Sequence, residues 1–258
     1  MKVLFISLGC DKNLADSEEM LGLLTGNGHE IVDSEEEADA IVINTCCFIH
    51  DAKEESVNTI LEMAEYKKTG TCKILIVTGC MAQRYKEEIT EEIPEVDAVL
   101  GTTSYGDIVK ALNEAEAGHV FQEFKDINAL PEDSGRRVIT TGGHFGYLKI
   151  AEGCDKHCTY CIIPSLRGKF RSVPEERLLK QAEYMASQGV RELILVAQET
   201  TVYGTDLYGK KTLHILLKKL CQVKGIRWIR VLYCYPEEIY DELIQVMKEE
   251  KKICHYLD

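Results

Sequence analysis

Alternation of apolar strands with helical segments constrains this chain more than any other property. Residues 3–9 form a continuous apolar run, as expected of a strand buried on both faces of a parallel sheet. Similar runs recur at 40–46 and 73–80, with a shorter one at 98–100. Between and after them, 17–24, 51–67, 83–92 and 105–117 carry helical spacing, and Gly26-Asn27-Gly28 punctuates the end of the first. This order predicts an α/β fold, a flavodoxin-like doubly wound domain over residues 1–120. The alternation lapses over 121–143, where turn residues around Pro131 to Gly135 and Gly142-Gly143 read as a linker.

From 144 to 258 the pattern resumes, strand first. Strands are expected at 147–152, 192–197, 228–233 and 253–257, and helices at 174–188, 213–221 and 237–249. The first of these helices lines up Leu178, Leu179, Ala182, Met185 and Ala186 on one face and stops at Gly189. Serial βα units predict a parallel barrel, or part of one, whose working face is the loop side after each strand.

Each of the three main N-terminal strands ends in a cysteine: Cys10, Cys46 and Cys80. The carboxyl ends of strands in an open parallel sheet share one edge, where such folds bind ligands. A single cysteine there is most simply a small buried apolar residue. Three at equivalent strand ends favour a metal site.

A second group is tighter. Cys154, Cys158 and Cys161 form a Cys-x-x-x-Cys-x-x-Cys run, with Tyr160 before the last. Three thiolates in eight residues can hold three irons of a cubane cluster and leave the fourth open to substrate or cofactor. Zinc is the rival reading. Structural zinc normally takes four protein ligands, and no neighbouring Cys or His completes a local set; His157 lies inside the run.

The chain has 258 residues, eleven of them cysteine, and a formal net charge of −13. It is too long to need a disulfide scaffold. Met1 reads straight into a strand, with neither a charged-then-apolar leader nor an apolar run long enough to span a bilayer. The cysteines are therefore expected to be reduced, in the cytoplasm, and available for metal. The acidic balance argues against a broad nucleic-acid footprint and would suit a basic protein partner.

The segment from Tyr147 to Gly168, with Gly153-Cys154, Thr159-Tyr160-Cys161 and Pro164-Ser165-Leu166-Arg167-Gly168, resembles the radical S-adenosylmethionine (SAM) superfamily, and its flanks resemble the methylthiotransferases. Those enzymes insert sulfur into a C–H bond and methylate it. The resemblance implies two [4Fe-4S] clusters and SAM as cofactors. One cluster would sit on Cys154, Cys158 and Cys161. The other would sit on Cys10, Cys46 and Cys80, within Leu8-Gly9-Cys10-Asp11-Lys12-Asn13, Asn44-Thr45-Cys46-Cys47 and Thr78-Gly79-Cys80. No catalytic residue is assigned beyond the clusters. Glu199, with Gln198, occupies the position whose polar group commonly contacts the SAM amino group in that superfamily, with plain loop polar residues as the alternative. Tyr160 is a candidate neighbour of cluster and adenine, with a plain core aromatic as the alternative. Arg167 and Arg171 are candidates for the SAM carboxylate, with solvated charge as the alternative. Cys47 departs from the family pattern, which has a small residue there, and reads as a bystander. Cys72, Cys221, Cys234 and Cys254 have no ligand spacing and read as core.

Within the family, Leu8 to Asn13, Asp51 to Ser56, Val196 to Thr200 and Tyr233-Cys234-Tyr235-Pro236 look like the RimO type, which methylthiolates the β-carbon of an aspartate in a small-subunit ribosomal protein. Asp11 stands where that type more often has proline. The implied partners are the ribosomal protein and an electron donor such as flavodoxin or ferredoxin, with no membrane, and with nucleic acid only through the ribosome. A tRNA adenosine methylthiotransferase of the MiaB type and a non-catalytic cluster-binding fragment are the alternative readings. The resemblance also implies that residues 144–258 are a radical SAM partial barrel truncated before its end, and that a C-terminal all-β substrate-binding domain is absent.

Overall fold

The computed structural model describes residues 1–132 and 134–258; Asp133, in the expected linker, lies outside the described residues. The chain forms two compact units, Met1–Val138 with Tyr160–Arg167, and Ile139–Thr159 with Gly168–Asp258.

The first unit runs β1 (Lys2–Ser7), α1 (Asp11–Gly26), β2 (Glu30–Val32), β3 (Ala40–Thr45), α2 (His50–Thr69), β4 (Ile74–Gly79), α3 (Cys80–Arg84), α4 (Lys86–Glu92), β5 (Ala98–Leu100), α5 (Ile108–Glu116) and β6 (Phe121–Glu123), and takes in α6 (Ile163–Arg167). All six strands are parallel, in the order β2-β1-β3-β4-β5-β6. Successive side chains of a strand point to opposite faces, so a sheet covered on both sides needs apolar residues at every position. Leu4, Ile41, Ile43, Leu75, Val77 and Val99 meet Ile60, Met63 and Ala64 of α2, Met81 of α3 and Leu166 of α6. The intervening Val3, Ala40, Val42, Ile74, Ile76 and Ala98 meet Met20 and Leu24 of α1 and Ile108, Ala111 and Leu112 of α5. Each such Val, Leu, Ile or Met side chain contributes about 1.5–3 kcal/mol by leaving water.

Several elements depart from expectation here. The helix expected at 17–24 begins at Asp11, because Lys12, Asn13, Asp16, Glu18 and Glu19 are polar yet buried and interrupt the apolar period. The helix expected at 83–92 is two, starting at Cys80 and breaking at Tyr85 (φ −123°, ψ 37°). The short edge strands β2 and β6 pass below the sequence pattern.

The second unit runs β7 (Phe145–Lys149), β8 (Ala151–Glu152), β9 (Arg171–Ser172), α7 (Glu175–Ser187), β10 (Glu192–Val196), α8 (Thr205–Tyr208), α9 (Leu213–Leu220), β11 (Trp228–Val231) and α10 (Asp241–Glu249). β7, β10 and β11 form a parallel sheet ordered β11-β10-β7, and β8 pairs antiparallel with β9. Leu148, Leu193, Leu195 and Val231 from the sheet, Leu178 and Met185 from α7, and Leu213, Leu216 and Leu217 from α9 are buried. The strand expected at 253–257 does not form. Ile253 makes a single parallel bridge to Ile229, and then the Tyr256 amide turns back to the Cys254 carbonyl at 2.8 Å, which removes it from the ladder. Among the described residues, no helix is long and apolar enough to cross a membrane.

Candidate functional site

The chain leaves β1 for β2 on one side of the sheet, while β3 lies on the other, so the carboxyl ends of β1 and β3 flank the topological switch point. Cys10 precedes α1 there, Cys46 follows β3 directly, and Cys80 opens α3 beside it. Cys10 is exposed; Cys46 and Cys80 are each 7% exposed. All three follow strands that are neighbours in the sheet, β1, β3 and β4.

Glycine permits close approach of the chain at two strand ends. Gly9 has φ +90°, and a Cβ there would stand 2.7 Å from Cys46 Cβ and 3.0 Å from its Sγ. Gly79 has φ +93°, and its Cβ would meet the Thr45 carbonyl at 2.5 Å. A side chain at either position would be both strained and obstructed.

Polar groups fix the edge. Asn13 Nδ2 donates to the carbonyls of Leu8 (3.0 Å) and Thr45 (2.9 Å), and Asn44 Nδ2 donates to the Asn13 carbonyl (3.0 Å) and to Ser17 Oγ (2.9 Å). Ser56 Oγ accepts from the Cys46 amide at 3.0 Å and donates to the Cys46 carbonyl at 2.7 Å, a two-way clamp on that residue. Arg167, 3% exposed, bonds Asp16 Oδ2 at 2.7 Å through Nη1. Its Nη2 reaches Asn13 Oδ1 at 2.5 Å and Cys80 Sγ at 3.6 Å.

Burial raises the Cys46 thiol, and it raises Cys80 against the opposing pull of Arg167. Cys47, buried beside them, is pushed up to about 12, chiefly by burial and further by Cys80, with Arg84 opposing. Among the described residues no three His, Cys, Asp or Glu side chains converge as for a single metal ion. Ligands of a cubane bind different irons, so their sulfurs stand wider apart than around one ion. The donor set of three thiols is soft and suits an iron–sulfur cluster. The residues fit that group.

In the second unit Cys154 follows β8, and its amide bonds the Gly168 carbonyl at 3.0 Å. Gly153 (φ +71°) lies so close to the segment after α6 that a Cβ would overlap the Lys169 carbonyl and stand 2.5 Å from that of Gly168. The Lys156 amide donates to Cys154 Sγ at 3.4 Å, and Tyr235 Oη lies 3.6 Å from Cys158 Sγ. Lys156 Nζ stands 4.6 Å above the Tyr235 ring and bonds Glu238 (2.8 Å) and Glu237 (3.1 Å). The hydrogen bond to Glu238 is the largest influence raising its pKa. Cys161 belongs to the Tyr160–Arg167 segment of the first unit.

Glu199 lies in the loop three residues beyond β10 and is 1% exposed. Its Oε1 accepts from the Thr201 amide at 3.0 Å and from the Thr201 hydroxyl, while Oε2 is buried with no hydrogen-bond partner. Gln198 Oε1 is likewise buried and unmatched. Buried acceptors without donors suit a ligand that brings N–H groups, as an ammonium does.

Exposure and packing place Tyr160, Arg167 and Arg171. Tyr160 is 85% exposed, so it is no core aromatic. Arg167 is committed to Asp16, Asn13 and Cys80, because α6 packs with the first unit, and it is not free for a carboxylate ligand. Arg171 lies on β9 opposite Glu152 and donates to the Lys169 carbonyl. Cys72, Cys221 and Cys234 are buried, as expected, while Cys254 is half-buried. Sequence reasoning missed Asn13, Asp16, Ser56 and Tyr235. The one available signal was the Asn13/Asp16 pair, three apart on one helix face just after Cys10.

Residues 2–101 match the uncharacterized protein family UPF0004, and residues 148–258 match the radical SAM superfamily. Over its whole length the chain is 66% identical to the ribosomal protein uS12 methylthiotransferase RimO of Lachnoclostridium phytofermentans, covering 59% of that protein. It is 51% identical to the protein of the same name from Clostridioides difficile, covering 58% of it. The chain thus spans under two thirds of the length of these relatives. A solved radical SAM methyltransferase, TsrM from Kitasatospora setae with cobalamin and [4Fe-4S] cluster bound, superposes with a TM-score of 0.63 at 12% identity, over 98% of this chain and 59% of that one. This last likeness is one of fold alone.

The two matched segments fall on the two parallel α/β units, and the second of these is similar to radical SAM proteins. Over its whole length the chain is similar to curated methylthiotransferases of the RimO type.

Proposed function

We propose that this chain belongs to an enzyme that adds a methylthio group to the β-carbon of an aspartate in a small-subunit ribosomal protein, in the cytoplasm. The observation that carries this reading is the placement of Cys10, Cys46 and Cys80 after the neighbouring strands β1, β3 and β4, in a chain 66% identical to a uS12 methylthiotransferase. Those three hold one [4Fe-4S] cluster, and Cys154, Cys158 and Cys161 hold the other. When bound, the clusters and SAM supply the one-electron and sulfur chemistry that protein side chains lack.

The chain's own part is to bind and orient. Glu199 Oε2 and Gln198 Oε1 receive the SAM ammonium, since both are buried acceptors lacking a donor. Tyr160 offers an open aromatic face for the adenine. The Lys156 amide and the Tyr235 hydroxyl would donate toward the Cys154 and Cys158 sulfurs as cluster ligands. Flavodoxin or ferredoxin is the proposed electron donor.

Anaerobic reconstitution tests this. About eight irons per chain are expected, and about four after Cys154, Cys158 and Cys161 are changed to Ala. Methylthio product on the ribosomal protein supports the assignment. Product on tRNA moves it to the adenosine-modifying type, bound iron without SAM cleavage to a non-catalytic fragment, and zinc without iron overturns it.

A further inference from the structure

We propose that Arg167 is a positioning residue for the first cluster, setting its reduction potential through Cys80 Sγ. The inference rests on Cys10, Cys46 and Cys80 being that cluster's ligands.

Arg167 lies 87 residues beyond Cys80, yet it is buried at the same sheet edge. Its direction is fixed from two sides. Leu166, just before it, packs in the core beneath the sheet, and the Leu166 carbonyl accepts from Thr102 Oγ1 at 2.7 Å. Asp16 holds Nη1 at 2.7 Å, while Asn13 Oδ1 holds Nη2. The Asn13 carboxamide cannot be turned round, because its nitrogen is needed by two carbonyls that only accept. Nη2 is therefore left facing Cys80 Sγ at 3.6 Å.

A guanidinium stays charged under all working conditions. Placed against a ligand sulfur away from water, it favours the more negative, reduced state of a cluster, since hydrogen bonds and charge near the sulfurs set the potential. Asp16 partly neutralises that effect. The pair therefore gives two handles of opposite sign on one property. A role limited to holding α6 in place would give both substitutions the same, merely destabilising, effect.

The test uses the full chain with Cys154, Cys158 and Cys161 changed to Ala, so that one cluster reports. After anaerobic reconstitution, iron is counted and the cluster is titrated with titanium(III) citrate while its electron paramagnetic resonance signal is followed. Arg167→Gln is expected to lower the reduction equilibrium about tenfold, which is about 59 mV for one electron. Arg167→Lys should keep most of the parent potential, and Asp16→Asn should move it upward. Four irons with an unmoved potential in both Arg167→Gln and Asp16→Asn would overturn the proposal. If Arg167→Gln holds no iron, the upward shift in Asp16→Asn and the retention in Arg167→Lys decide. An iron-free parent overturns the ligand assignment itself, and this inference with it.

Discussion

Asn13 and Thr45 are joined across the switch point of the sheet: the carboxamide of one donates to the carbonyl of the other at 2.9 Å, in a buried position. The same nitrogen reaches the Leu8 carbonyl, so one side chain ties the loop after β1 to the end of β3.

Asn13→Ala should therefore cost about 2–4 kcal/mol, because it leaves two carbonyls and the Arg167 fork short of partners in a buried place. Urea unfolding of the iron-free chain measures this directly. Asn13→Asp keeps the acceptor for Arg167 but sets a carboxylate against both carbonyls, so it should be no better.

Gly153→Ala places a methyl against the Gly168 carbonyl, at a residue whose φ is +71°. Iron content should fall from about eight to about four per chain while the Cys10–Cys46–Cys80 cluster is retained. Gly9→Ala should have the mirror effect, sparing the other cluster. Iron analysis with each cysteine triple in the background separates the two, and equal loss from both sites would refute the argument.

Tyr235→Phe removes the hydroxyl beside Cys158 while keeping the ring under Lys156. Stability should change by less than about 1 kcal/mol and iron should stay constant. The potential of the second cluster should drop. A potentiometric titration in a chain lacking Cys10, Cys46 and Cys80 reads this out.

Burial holds the His214 pKa below its ordinary value, and its Nδ1 lies 3.1 Å from Tyr240 Oη. A lowered pKa means the unfolded chain binds more protons through this window, so stability rises with pH and falls as pH drops below about 6.5. The urea midpoint should decline between pH 7.5 and 5.5, and less steeply in His214→Asn. An unchanged slope would remove His214 as a contributor. His29 is lowered by the same cause and contributes in the same direction.

The fold was legible where burial on both faces demands apolar residues at every position, as along 40–43 and 74–77. It was not legible at Glu30–Val32 and Phe121–Glu123, which are three residues long and half polar. The buried polar run that starts α1 concealed a helix because those residues serve the site as well as the core. The six cysteines stood out through spacing and position. Arg167 did not, since its partner Asp16 is 151 residues away and only the packing of α6 brings them together.

The Tyr160–Arg167 segment also bears on how the chain is made. Synthesis proceeds from the N-terminus, and domains tend to fold as they emerge. All six strands of the first unit are complete by Glu123, but Leu166 and the Arg167 guanidinium arrive later. Over that interval the nascent chain carries an uncovered apolar patch and Asp16 without Arg167. That is the kind of surface a holdase chaperone binds. A recombinant fragment ending at Val138 would keep that defect permanently, so an excision intended to isolate this unit has to retain the later segment.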